Sequence, residues 1–460
     1  MRRTLKVQRT YSIAQQSLNL GFTQAQYTGD KIAPMRKLNW LYGLAALAIL
    51  AILALLAGAA YRLPPVHNRL SWRVDFAMTY LRGLIHPIQA MPTALPKPQA
   101  QVASLVTATL PATSTRSLST ATQAATPTPE YTPTPLPSPT ALPQAVSLPA
   151  PEWEKQDINN CGPAALAMYL RSYGWEGDQE TITQIIKPYR EDRNVNVEEL
   201  AYYVRNYAGW LNIQYRVGGD LELLKQLLAA GLPVMIEETF KFDEPFWTND
   251  DLWAAHYQVV TGYDEAKKIF IGQDSFHGPN QEIPYQRLDE YWQAFNRVYI
   301  LVYPPAQEPV VQAILGENWD PDANRQHALE LAQAETQSDP DNAFAWFNLG
   351  ANLTYFERYI EATDAFDKAR EIGLPQRMLR YQFSPFIAYF HTGQLDDLIA
   401  LTEYALEVTP NAEEALLWHG WAMYRQGDTP QAVENFQQAL VENPNYLDAQ
   451  YALDFVRANQ

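Results

Sequence analysis

Between Leu38 and Tyr61 the chain carries no charged residue, and from Leu41 to Ala60 it is almost entirely Ala, Leu and Ile. About 20 such residues cross the hydrocarbon core of a bilayer, so residues 40–61 are predicted to form a single transmembrane helix. Trp40 and Tyr42 at one end and Tyr61 at the other suit the two interfacial belts. Ala57-Gly58-Ala59 resembles a signal-peptide cleavage site. The leader before the run is far longer than a signal peptide's, however, and the run exceeds a signal core. An uncleaved anchor is the expectation. Residues 1–39 hold Arg2, Arg3, Lys6, Arg9, Lys31, Arg36 and Lys37 against one acid, Asp30. That bias places the N-terminal segment in the cytoplasm and everything after Arg62 on the other side of the cell membrane.

Two further segments separate the anchor from folded structure. Residues 62–91 place Leu70, Val74, Phe76, Leu81 and Leu84 among Arg69, Arg73 and Arg82, the pattern of a short amphipathic juxtamembrane helix near the membrane surface. Residues 92–150 are rich in Pro, Thr, Ser and Ala, hold twelve of the 33 prolines and contain no glycine. Such a composition buries no core and predicts a disordered, extended linker or stalk. In polyproline geometry, at about 3.1 Å per residue, it reaches on the order of 180 Å.

From residue 151 onward the composition is globular and acidic, within a chain of net charge −17. An acidic surface lacks the clustered Lys and Arg that nucleic acid requires, so no nucleic-acid partner is expected. Helical patterns fit 162–173, 178–188, 197–207 and 221–230. Strand patterns fit 213–217, 232–237, 256–263, 268–274 and 298–304. Helices first and hairpin-connected strands after them predict an α+β domain over 151–306.

Residues 320–460 read as helical with a repeat. Gly350 and Gly420, Ala362 and Ala432, and Ala369 and Ala439 are each 70 apart. Gly393, Leu398, Ala405 and Pro410 precede Gly427, Ala432, Ala439 and Pro444 by 34 each. This resembles the tetratricopeptide (TPR) pattern of helix–turn–helix units of about 34 residues. It implies an all-α solenoid of three repeats, with 325–338 as a preceding half-repeat and 446–458 as a cap. Arrays of this kind bind peptide or protein segments, so a protein partner is expected. Trp346, Phe347, Trp418, Trp421 and Tyr424 occupy first-helix positions. The repeats are expected to fold independently of 151–306 and to take no part in its chemistry.

Cys161 is the single cysteine, so no disulfide forms within the chain. Asn160 is a good helix-cap residue, Pro163 suits a first turn and Gly174 suits a stop, which puts Cys161 at a helix N-terminus. Unpaired backbone N–H groups there favour the thiolate, the nucleophilic form. A thiol nucleophile needs a base, and 151–306 contains two histidines, His256 and His277. A hairpin centred on Glu265 pairs residues whose numbers sum to 530, which sets His256 directly opposite Asp274. His277 and Asp264 read as loop residues. Gln156, just upstream of the thiol, is a candidate oxyanion donor with the Cys161 amide.

The block Gln156…Asn159-Asn160-Cys161-Gly162-Pro163-Ala164-Ala165, then His256-Tyr257…Gly262-Tyr263 and Asp274, resembles the bacteriocin-processing (double-glycine) peptidase family and its wider relatives over roughly 152–304. The resemblance implies a papain-like cysteine peptidase. Cys161 would be nucleophile, His256 base, Asp274 its orienter and Gln156 part of the oxyanion hole, with no cofactor or metal and a peptide or protein as substrate. Transporter-linked members of that family cut leader peptides after a Gly-Gly pair and are fused to an exporter. This chain shows neither a multi-span region nor a Gly-x-x-x-x-Gly-Lys-Ser/Thr loop. A wall-peptide amidase or acyltransferase using the same thiolate, and a repeat-based binding protein with an idle peptidase-like domain, are the alternatives. The aromatic loop Phe242–Trp253 fits either a substrate groove or core packing.

Overall fold

The computed structural model describes residues 36–61, 63–85, 87–96, 141–189 and 191–459. The segment expected in the cytoplasm falls outside the described residues up to residue 35, and so does the expected stalk over 97–140. Helix α1 (Arg36–Tyr61) is continuous over 26 residues, about 39 Å at about 1.5 Å per residue. Over Leu44–Tyr61 it is apolar, unburied and long enough to cross a membrane.

The described residues from 68 onward form one compact unit. Its sheet is antiparallel, in the order β2 (Asn212–Arg216), β7 (Tyr299–Tyr303), β3 (Val234–Lys241), β4 (Trp253–Asp264), β5 (Ile269–Asp274), β6 (Gly278–Pro284), with β1 (Ala145–Ser147) on β4. Helices α3 (Cys161–Arg171), α4 (Gln179–Ile186) and α5 (Val197–Tyr207) bury Leu166, Leu170 and Leu200 against Met235, Tyr257 and Val259. On the other face α6 (Leu221–Ala229), α7 (Tyr285–Gln293) and α8 (Glu308–Leu315) cover Val234, Ile236, Val260 and Phe270. The α+β expectation holds, and four elements are additional to it, β1, β6, α7 and, beyond the expected end at residue 306, α8. Strand β1 lies within the stretch read as linker. Gly262 admits it, since a Cβ there would sit 2.4 Å from the Val146 carbonyl. Strand β6, with Pro279, Asn280 and Pro284, carries no alternating apolar signal and survives as an edge. Helix α7 follows it directly.

The C-terminal part is helical from α9 (Pro321–Ser338) onward. The pairs are α10 (Ala343–Tyr355) with α11 (Tyr359–Ile372), α13 (Ser384–Thr392) with α14 (Leu395–Val408), and α15 (Glu413–Gln426) with α16 (Thr429–Glu442). Helix α17 (Leu447–Ala458) caps them, and a short α12 (Met378–Tyr381) is inserted after the first pair. The 70-residue spacing has a packing cause. A Cβ at Gly350 would lie 2.6 Å from Phe366, and one at Gly420 2.5 Å from Phe436, so each paired helix closes on a glycine.

The repeats do not stand apart from the sheet domain but share one compact unit with it. One apolar core joins Trp247, Trp253, Phe295 and Val298 of the sheet domain to Leu329, Phe347, Met378 and Phe386 of the helices. Polar groups fix the docking: Asn324 makes a two-way bond to the Val217 peptide (3.0 and 2.9 Å), and Arg297 pairs with Glu335 at 2.6 Å. Helix α2 (Pro64–Ile85) forms where an amphipathic helix was predicted, yet its later turns pack on protein. Thr79 accepts from Arg193, Phe76 meets Phe246 edge-on at 5.1 Å, and Gly83 lies against Trp247. Beyond it Pro87–Pro96 runs over the repeats. Arg370 donates to the Pro92 and Thr93 carbonyls, Tyr404 to that of Gln89, and Asp397 accepts from the Leu95 amide.

Candidate active site

Cys161 is the first residue of α3. Asn160 occupies the cap position, but its side chain does not cap the helix as expected. It bonds instead to Gln179 (2.7 Å) and Thr183 (3.0 Å) of α4. Asn159 sits in the left-handed region (φ 53°), and its carbonyl accepts from the buried Lys187 ammonium. The turn that presents the thiol is therefore held by α4 and Lys187.

His256 and Asp274 come together through a register that differs from the predicted one. Asp264 pairs with Ile269 and Gly262 with Ile271, and continuing that ladder would set Asp274 opposite Val259, on the wrong face. A bulge at Thr261 inserts one residue into β4, so that Asp274 faces Gln258. His256 is then a diagonal neighbour on the same face, and its Nε2 lies 2.9 Å from Asp274 Oδ1. The predicted direct pairing is wrong by two residues, an even slip that keeps the face. Asp274 also accepts from the Phe276 amide (2.7 Å), the His277 amide (3.0 Å) and His277 Nδ1 (2.7 Å). His277, read as a loop residue, thus helps to hold the carboxylate.

With Nε2 committed to Asp274, the other ring nitrogen of His256 is left for Cys161, which lines the same cleft. Burial pushes the Cys161 thiol up. The hydrogen bond and charge of His256, the Tyr257 amide and the Lys187 cation outweigh that and bring it below its ordinary value. Burial would depress the His256 imidazolium, but Asp274 and the thiolate beside it lift it to about 10. Asp274 is opposed by burial too, yet the two histidines hold it far below the carboxylate range. The two groups thus stabilise each other's charged forms, the thiol being shifted towards the thiolate and the imidazole towards the imidazolium.

Gln156 stands beside this pair. Its amide nitrogen bonds the Ser275 carbonyl (3.0 Å), and its Oε1 accepts from Ser275 Oγ (2.9 Å), leaving the side-chain NH2 for the cleft it lines. The cleft has a volume of about 250 Å³ and holds Gln156, Cys161 and His256 together. The aromatic loop supplies Phe242, Phe246 and Trp247 as one wall. The repeats supply Arg377, Arg380 and Tyr381. Sequence reading missed Lys187, Arg377 and Arg380, because each reaches the site through the tertiary fold and carries no local motif. It also missed Glu238, directly across from His256, whose buried carboxyl is pushed up to about 7. Among the described residues no group of three or more His, Cys, Asp or Glu is arranged to hold a metal.

A thiol at a helix N-terminus, set against a His–Asp pair on an antiparallel sheet, defines the papain-like class of fold. Residues 143–300 match the family model of the Peptidase_C39 like family, and residues 414–446 match that of the tetratricopeptide repeat, so a C39-like cysteine peptidase fold is joined here to TPR helices. Among solved structures, a C39-like peptidase from Bacillus anthracis is 17% identical, covers 35% of this chain and 98% of its own, and gives a TM-score of 0.29. Xylellain, a cysteine protease from Xylella fastidiosa, is 15% identical over 36% of this chain and 87% of its own, with a TM-score of 0.28. YrrB, a TPR protein with an unusual peptide-binding site, is 19% identical over 28% and 82%, at 0.17. No curated protein sequence matches the chain.

Proposed function

We propose that this protein is a membrane-anchored cysteine peptidase that hydrolyses peptide bonds outside the cytoplasm. The observation that carries the reading is a single cleft lined by both Cys161 and His256, with His256 bonded to Asp274 at 2.9 Å. The Cys161 thiolate attacks the scissile carbonyl, and the oxyanion is met by the Cys161 amide and the Gln156 NH2. The His256 imidazolium gives its proton to the leaving amine. His256 then takes a proton from water as that water cleaves the thioester, which frees the acid and restores the thiolate beside a protonated His256. Asp274 holds the imidazole in the required orientation. Helix α1 serves as the anchor, oriented by the Lys and Arg residues before it. The repeats bind the protein substrate or a partner.

The test is labelling of the full-length protein by a thiol-reactive peptide probe, together with a comparison of new N-termini released by wild type and Cys161→Ala. Wild-type labelling with cleavage products that Cys161→Ala does not make is the expected result. Acyl transfer to an amine without new N-termini would favour the transferase reading. No labelling would leave the site idle. Protease added outside intact cells should cut between residues 97 and 140, outside the ends of the stretch that are bonded to the repeats and the sheet. Full protection of the C-terminal part would reverse the orientation.

A further inference from the structure

Arg380 belongs to α12, the insertion between the first two helix pairs, and it lines the cleft that holds Cys161. Its residue exposure is 7%. Its Nε donates to Thr409 Oγ1 at 2.8 Å, while its Nη2 is buried with no hydrogen-bond partner. The neighbouring charges do not neutralise it. Arg377, on the same wall, is consumed by a two-bond pair with Asp250 (2.6 Å each) and lies 4.0 Å over Trp247. Arg193, which also lines the cleft, bonds to Thr79. Burial, with these two arginines adding to it, brings the Arg380 guanidinium down to about 10; Tyr381 acts against that shift, and no carboxylate stands among its main influences. A buried guanidinium costs several kcal/mol unless a charge and hydrogen bonds meet it, and its fork fits a carboxylate.

We propose that Arg380 forms a specificity subsite that takes a carboxylate of the bound peptide, so that this enzyme selects acidic segments or free C-termini. This deepens, and rests on, the reading of Cys161 as the nucleophile of the cleft. Arg380 is a binding residue supplied by the repeats, and the aromatic wall of Phe242, Phe246 and Trp247 takes the apolar side chains next to it.

The experiment uses the full-length Cys161→Ala protein in detergent, which binds without turnover. One set of fluorescent dodecapeptides, amidated at the C-terminus, carries Glu or Gln at each position in turn. A second set lacks both residues and ends in a carboxylate or an amide. The carboxylate member of one set should bind about tenfold or more tightly than its neutral partner, and the set that responds identifies the source. Arg380→Gln should abolish the preference, and Arg380→Lys, which keeps charge but loses the fork, should weaken it. If Arg380→Gln does not fold, Arg380→Lys and the paired wild-type affinities decide. No preference in either set, or one unchanged in the variants that fold, overturns the subsite. Cleavage by Cys161-intact enzyme without carboxylate preference sinks the subsite alone. A carboxylate preference in a protein that cleaves nothing sinks the peptidase reading alone.

Discussion

At the scale of single residues, the reactivity of Cys161 is set by a contest between burial and charge. Burial favours the neutral thiol, while His256, the Tyr257 amide and Lys187 favour the thiolate and win. The acid limb of alkylation by iodoacetamide should therefore fall below the ordinary thiol value of about 8.5. Turnover, which also needs the imidazolium, should fall again as pH rises through about 10, where His256 loses its proton. In His256→Ala burial is left largely unopposed, so the acid limb should move upward and turnover should vanish. Asp274→Asn removes the charge that lifts His256, so the descending limb should shift to lower pH. Gln156→Ala should lower the rate by about 10²–10³ with the alkylation profile unchanged. An acid limb near 8.5 that is the same in wild type and His256→Ala would rule out the ion pair.

At the scale of elements, the β4–β5 hairpin shows how one irregular residue aims a side chain. Without the bulge at Thr261, Asp274 would face the side covered by α3 to α5, which holds Val259. Thr261 is anchored on both flanks, its carbonyl accepting from the Leu148 amide (2.9 Å) and its hydroxyl from Gln273 (2.9 Å). Strand β1 thus buttresses the bulge as well as covering the end of β4. Gly262→Val should push β1 off, because the added Cβ meets the Val146 carbonyl. A loss of about 1–3 kcal/mol in denaturant unfolding is expected. Unchanged stability would mean that β1 contributes nothing.

At the scale of the whole molecule, the inserted segment between the first two repeat pairs acts as a clamp on the cleft. Arg377 and Asp250 are almost wholly buried as a pair, and Gln376 bonds the Trp247 indole at 2.8 Å. Arg377→Ala leaves Asp250 buried without its partner and should cost about 3–5 kcal/mol. Ending the chain at residue 319 should be worse, since it uncovers Trp253, Phe295 and Val298 of the shared core. Thermal unfolding and labelling of Cys161 check both changes. A chain ending at 319 that melts cooperatively and labels like wild type would restore the two-module picture.

What the sequence determined by itself were the features written in local periodicity and spacing. The apolar run gave α1, the helical and alternating patterns gave α3 to α6 and the central strands, and paired Gly and Phe positions gave the repeats. Cys161 at a helix start was legible because cap, Pro and apolar run are neighbours in the chain. The tertiary structure alone decided the rest. The His256–Asp274 contact depends on a bulge that no residue type announces, since Thr261 is an ordinary strand residue until its neighbours pin it. Edge strands β1 and β6 lack a buried face of their own and form because a paired strand waits for them. Arg377 and Arg380 look like solvated helix charges in sequence. Burial of one apolar core shared by the sheet and the repeats carries them more than 200 residues from Cys161 in the chain to the wall of its cleft. Local patterns set which surfaces are apolar, and the matching of those surfaces sets which polar groups meet.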